Sequence, residues 1–108
     1  MKIIKTSTYI KDYKKKIVNK HKKIEEETIC AIEELLIQSE TMKELIRNPL
    51  SVVYNIEKKK GDLKEIYTAR INNKLRMHIK PVGKYPYVLE EIIEITLEEI
   101  DDKHYGKG

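Results

Sequence analysis

The chain has little with which to cross-link itself, little with which to bind metal, and no long apolar run. Its one cysteine in 108 residues, Cys30, cannot form an internal disulfide; this fits a reducing cytoplasm and a small core residue. One cysteine and three scattered histidines argue against a zinc site, whose ligands are mostly Cys and His. No apolar stretch approaches the ~20 residues of a membrane span, and Met1 to Lys5 lacks the apolar region of a secretory signal. Phenylalanine and tryptophan are missing, so seven tyrosines are the whole aromatic complement. There is no internal repeat and no low-complexity segment.

What is present suits one folded domain over residues 1–108. Charged residues make up 37% of the chain, but apolar residues still reach 40%, enough for one modest core. The net charge of +4 is laid out in blocks. Residues 1–23 hold nine Lys and one Asp, and residues 24–47 hold seven Glu against Lys43 and Arg47. Residues 48–84 are basic again, with nine Lys or Arg against three acids, and residues 85–108 carry seven acids and two Lys. Two basic blocks in a small chain point to a polyanion, nucleic acid first. Charge runs also occur on solvated surfaces that bind nothing.

The most informative stretch is Tyr67 to Lys80. Tyr67, Ala69 and Ile71 alternate with Thr68 and Arg70; Leu75, Met77 and Ile79 alternate with Arg76, His78 and Lys80. Period-two patterning on both arms predicts a β-hairpin. A three-residue loop, Asn72 to Lys74, sets Arg70 opposite Arg76 and Ile71 opposite Leu75. A two-residue turn would put the arginines on opposite faces, because a one-residue slip flips every side chain. Such loops usually need a left-handed residue, which Asn tolerates. One face is then apolar, and the other carries Arg70, Arg76, His78 and Lys80. Like charges directly opposite are unfavourable, so this face is either solvated among acidic neighbours or a phosphate site, for which guanidinium forks are well shaped.

Along the rest of the chain, Lys2 to Lys5 predicts a first strand. Thr6, Ser7 and Thr8 are N-cap candidates for a helix from about Thr8. A break near Asn19 to Lys22 separates it from a second helix, Lys23 to Ser39, with Ile24, Thr28, Ala31, Ile32, Leu35 and Leu36 as its buried stripe. Thr41 to Arg47 adds a turn or two, ended by Asn48-Pro49. Leu50 to Ile56 is apolar enough to be partly buried. Glu57 to Asp62 is a charged loop hinged at Gly61. Strand two starts near Lys64 and enters the hairpin. Pro81, Gly83 and Pro86 make a turn. The last strand covers about Val88 to Leu97, with Ile93, Ile95 and Leu97 inward. The order predicts an α+β fold: an N-terminal strand and a helical hairpin packed on a small twisted antiparallel sheet.

Gly61-Asp62-Leu63-Lys64, Tyr67-Thr68-Ala69-Arg70-Ile71-Asn72, Arg76 and Asp102-Lys103-His104-Tyr105 stand in this order. The pattern resembles the RelE/ParE superfamily of toxins, and within it the HigB-like branch. That branch carries Gly-Asp-x-Lys, an Arg-Ile-Asn strand, a second Arg six residues after the first, and a C-terminal Asp-x-His. The resemblance covers most of residues 61–105. It implies a type II toxin–antitoxin system, a cognate antitoxin partner and a cytoplasmic location. It also implies ribosome-dependent cleavage of mRNA without metal or small-molecule cofactor. By matching position, Lys64, Arg70, Arg76, Asp102, His104 and Tyr105 become site candidates, with Lys80 beside them on the basic face.

Cleavage of RNA by its own 2′-hydroxyl needs a base, charge stabilisation at the phosphate, and an acid for the 5′-oxygen. Arg70 and Arg76 can stabilise the phosphate; His104 or Asp102 can move a proton; Lys64 can bind phosphate or serve as a base; Tyr105 can stack on a nucleobase. His78 and His21 read as surface residues, Tyr67 as core, and Tyr85 and Tyr87 as packing around Pro86. Ile100 breaks the alternation before Asp102, which marks a bulge or turn. Two other functions share the fold: a ParE-like inhibitor of DNA gyrase that acts by binding, and an inactive relative that works only with its antitoxin. The Asp102/His104 pair favours the nuclease, since a binder needs no proton-transfer group.

Overall fold

The computed structural model describes residues 1–102. The alternating segments form one five-stranded sheet, in the order β1-β5-β4-β3-β2. The strands are β1 (Lys2–Lys5), β2 (Glu57–Lys58), β3 (Tyr67–Arg70), β4 (Arg76–Pro81) and β5 (Glu94–Asp101). β2 through β5 pair antiparallel. β1 lies parallel to β5, with Lys2 opposite Glu94 and Lys5 opposite Leu97. The α+β architecture is as expected, but the sheet is mixed rather than antiparallel. Alternation reports which face a residue takes and is silent on the direction of the neighbouring strand.

β1 runs straight into the helical layer. α1 (Ser7–Tyr13) is capped by Thr6, whose hydroxyl accepts the Tyr9 N–H at 3.0 Å and donates to the Glu98 carbonyl at 2.7 Å. A π-helical turn, Lys14–Val18, follows, and the chain reverses at His21 with φ 54° before α2 (Lys23–Gln38). The helical hairpin therefore forms as expected. Tyr9 packs α1 on α2, its hydroxyl donating to Glu33 Oε2 at 2.7 Å. Burial, and then that carboxylate, push the phenol far above its ordinary pKa.

The buried stripe of α2 is Ile29, Ile32, Leu35 and Leu36. Ile24, expected inside, is 75% exposed, and Ala31 and Cys30 also face solvent. Ile32, Leu35 and Leu36 are buried as expected, and the stripe is turned by roughly half a residue, ~50° of helix, toward Ile29. Glu25 is half-buried on this face and accepts a hydrogen bond from Asn72 Nδ2 at 2.9 Å. That bond holds the Glu25 carboxyl below its ordinary pKa. A polar residue with a specific partner occupies a position that hydrophobicity alone assigns elsewhere.

α3 (Met42–Arg47) is capped by Thr41 and ends at Asn48-Pro49; α4 (Leu50–Val53) follows at once. Here too the polar residue is inside. Ser51 is buried and donates to the carbonyls of Ile46 and Asn48, while Val52 and Val53 are exposed. Tyr54 and Ile56 do pack against the core. β3 begins at Tyr67 rather than Lys64, because Gly61, at φ 68°, opens a 3-10 turn over Gly61–Leu63. β5 begins at Glu94 rather than Val88: Leu89–Glu91 form a 3-10 turn, and Ile93 points to solvent. Ile17, Ile32, Leu36, Met77, Ile79 and Leu97 anchor the single core between helices and sheet. Among the described residues, no helix is long and apolar enough to cross a membrane.

The phase of α2 is directly testable. Ile32→Ala should destabilise the fold by about 2–5 kcal/mol, the range for emptying a fully packed site. Ile24→Ala should stay within ~0.5 kcal/mol. Urea unfolding of the two variants separates them, and equal losses would put the stripe back at its expected phase.

Candidate nucleic-acid interface

The hairpin closes as its alternation requires. Arg70 lies opposite Arg76, and the Ile71 N–H donates to the Leu75 carbonyl at 3.0 Å, leaving Asn72 to Lys74 as the loop. The expected left-handed loop residue is not used, since the positive-φ non-glycine residues among those described are His21 and Asn55. Instead Asn72 Oδ1 accepts from the Lys74 and Leu75 N–H groups at 2.8 and 2.7 Å. A side-chain amide thus completes the turn, and its Nδ2 ties the loop to Glu25 on α2.

Tyr67, Ala69, Met77 and Ile79 enter the core, so Thr68, Arg70, Arg76, His78 and Lys80 take the opposite face of the sheet. The two guanidinium groups are held at the loop end. Arg70 Nη2 donates to Asn73 Oδ1 at 3.2 Å, and Arg76 Nη1 donates to the Asn72 and Leu75 carbonyls at 2.7 and 3.2 Å. Arg70 is exposed; Arg76 and Lys80 are half-buried.

β5 supplies the third column of this face, and a bulge sets its phase. Leu97 pairs with Ile79 and Ile100 with Met77, so Glu98 and Glu99 together span the place of His78. The extra residue turns Ile100 into the core and Asp101 onto the basic face, opposite Arg76. The Asp101 carboxylate lies in close contact with His78 Nε2, and both side chains are almost wholly buried. Asp102, the expected acid, follows the strand end and is exposed.

The bulge sits where β5 loses a neighbour. β1 reaches only to Leu97, and beyond it side chains from the first helical segment replace the missing strand. Thr6 binds the Glu98 carbonyl, Asp12 Oδ2 accepts the Ile100 N–H at 3.0 Å, and Lys16 Nζ donates to the Ile100 carbonyl at 2.6 Å. The register therefore reads Asp101–Arg76–Arg70 in one row, Glu99–His78–Thr68 in the next, and Thr96–Lys80 beyond. The acidic last quarter lays its carboxylates beside the basic hairpin.

Lys64 is not brought to the arginines. It is exposed beyond the other end of β3, with Nζ 5.5 Å from the Tyr85 ring centre, and Lys58 Nζ lies 5.3 Å from the same ring. Tyr85 and Tyr87 meet edge to face at 5.4 Å, and Tyr87 donates to the Glu65 carbonyl at 2.8 Å. Burial pushes the Tyr87 phenol up to about 12. Both tyrosines pack the turn around Pro86, and Tyr67 is core, as expected. His104 and Tyr105 lie outside the described residues. Alternation places His78 on this face, but the residue is buried rather than at the surface; what alternation does not bring here is Asp101, with Asp12 and Lys16 behind it. Ile100 was the available signal: moving the phase by one residue there brings Asp101 to the face in place of Asp102.

No protein-family model matches the sequence, and no curated protein does. Solved structures match the fold. YafQ from Escherichia coli strain BL21(DE3) superposes with a TM-score of 0.67 at 18% identity, over 94% of this chain and 91% of that one. The toxin in the E. coli DinJ–YafQ toxin–antitoxin complex gives 0.63 at 18%, over 93% and 89%. A YoeB/ParE toxin from Agrobacterium tumefaciens gives 0.57 at 16%, over 96% and 100%. The chain has the fold of the RelE/ParE superfamily of toxins; these neighbours do not single out the HigB-like branch.

The helical clamp on β5 makes a prediction. Asp12→Ala removes the acceptor of a buried backbone N–H and should cost about 1–3 kcal/mol. Hydrogen exchange at the Ile100 amide should accelerate by more than at Ile79. Uniform acceleration across the sheet would mean that Asp12 does not hold the bulge.

Proposed function

We propose that this protein is the toxin of a type II toxin–antitoxin pair and an endoribonuclease that cuts mRNA on the ribosome. The observation that carries the reading is the pair Arg70 and Arg76, side by side in register at the loop end of the sheet face opposite the helices. In this reading the 2′-oxygen of the substrate attacks its own phosphorus, forming a 2′,3′-cyclic phosphate and releasing the 5′-oxygen of the next nucleotide. The arginines donate to the non-bridging oxygens, whose charge grows as the phosphorane forms. Lys80 adds positive potential along the path of the backbone. His104 is the proton carrier that the family resemblance implies, and Tyr105 is a stacking platform for a base. Asp101, paired with buried His78, is the carboxylate that keeps Arg76 beside Arg70 tolerable. Asp102, exposed at the strand end, is left a lesser role. The chemistry asks nothing of a metal in this reading.

The partner is an antitoxin with an acidic or amphipathic segment. Charge complementarity directs that segment to the hairpin face. The resemblance of the fold to the toxin of the DinJ–YafQ complex supports a protein partner of this kind.

The test is primer extension on mRNA in a translating extract. Arg76→Ala should lower the cleavage rate by about 10²-fold or more, the scale of one lost transition-state donor. His104→Ala should cost a comparable factor while weakening ribosome binding less than Arg76→Ala, because a phosphate ligand also acts in the ground state. Growing cells that die with gyrase-trapped DNA breaks and intact mRNA would contradict the nuclease reading in favour of the gyrase-binding one.

A further inference from the structure

We propose that His78, Glu99 and Asp101 form a binding site for a first-row divalent transition ion. One ligand atom from each lies within 4.8 Å of the other two. His78 and Asp101 are nearly inaccessible and Glu99 is half-buried, so the donors are not an ordinary exposed acidic cluster. They stand on adjacent strands: Glu99 is directly opposite His78, and the bulge turns Asp101 to the same side. Donors fixed on strands hold their geometry better than donors on loops.

The chemistry selects the class of ion. One imidazole nitrogen and two carboxylate oxygens suit zinc and its neighbours, with bonds of about 2.0–2.2 Å. Calcium and magnesium ask for six or more oxygens, or keep several waters. Bringing the three donors onto one ion requires the direct His78–Asp101 contact to open so that the ion lies between them, and Glu99, the most accessible of the three, to swing inward. A divalent charge balances two carboxylates that otherwise face each other beside a desolvated imidazole. The nearest cation on β4 does not compete for the place, because the Arg76 guanidinium is turned to the loop carbonyls of Asn72 and Leu75. The chain's histidines and its one cysteine are far apart in sequence, which argued against zinc; strand register assembles this site from one histidine and two acids. Binding occupies the imidazole nitrogen that faces Asp101, so any proton there is released to solvent.

The test uses the full chain, freed of metal by chelation, and does not depend on nuclease activity. Calorimetric titration with zinc chloride should show one ion per chain. At a hundredfold excess over the dissociation constant, the thermal midpoint should rise by about 10 °C; magnesium chloride should leave it unchanged. Cobalt chloride should produce the visible absorption of a low-coordinate site. Glu99→Gln should weaken zinc binding by at least about tenfold, a loss that outer-shell partners alone can cause, with the metal-free midpoint retained. His78→Gln should abolish binding, and His21→Gln should not change it. If His78→Gln does not fold, Glu99→Gln decides. The absence of a zinc-dependent heat or midpoint shift, or zinc binding by Glu99→Gln equal to that of the unaltered protein, would overturn the proposal and leave the His78–Asp101 contact as a purely structural one.

Discussion

The functional face depends on one extra residue in β5. Two residues, Glu98 and Glu99, occupy the span of His78. Without that bulge Asp101 would point into the core and Ile100 would point out, because strand side chains alternate strictly. A buried, unpaired carboxylate and an exposed isoleucine would both be costly. With the bulge, Ile100 closes the core and Asp101 reaches the face that carries Arg70 and Arg76. Past Leu97, where β1 ends, the outer backbone groups of β5 have no strand partner, and Thr6, Asp12 and Lys16 supply one. The N-terminal helix therefore does more than cover the sheet. It sets the position of the acid beside the arginines.

Electrostatics on this face follow from that placement. Two arginines opposite each other repel, and one carboxylate in register beside Arg76 offsets part of that repulsion. Asp101 lies next to Arg76, and Asn72 and Asn73 take the inward donors of both guanidinium groups. The His78–Asp101 pair is buried, and the net worth of such pairs is often near zero. Removing one partner is different, since the survivor is left charged or unsatisfied, at about 3–5 kcal/mol. The pair is thus weak evidence for stability and strong evidence for a fixed geometry.

Much of the architecture was readable from alternation. The hairpin loop, the opposition of Arg70 and Arg76, the Thr6 cap, the helical break near His21 and the core placement of Tyr67 all follow from periodicity and capping chemistry. What was not readable came from partners distant in sequence. Glu25 meets Asn72 beside the core, while Ile24 and Cys30 lie outside. Ser51 is drawn inward by two carbonyls, which turns Val52 and Val53 out. β1 lies parallel to β5, a fact that alternation does not encode. On the sheet face the difference from plain alternation is one residue: Asp101 stands opposite Arg76, and Asp102 lies past the strand end. The out-of-phase Ile100 announced a bulge, but local pattern does not say which way a bulge turns the residues after it. Long-range pairing decides that.

The central claim is that the hairpin face, and not the helical layer, meets the scissile phosphate. The most direct measurement is a structure of the protein on a translating ribosome whose mRNA carries a 2′-O-methyl group at the cleavage position, so that attack is blocked. The account predicts the blocked phosphate within hydrogen-bond reach of Arg70 and Arg76, about 2.7–3.2 Å from their nitrogens, with α1 and α2 turned away. An mRNA phosphate seated against α1 and α2, with both arginines facing solvent, would contradict it.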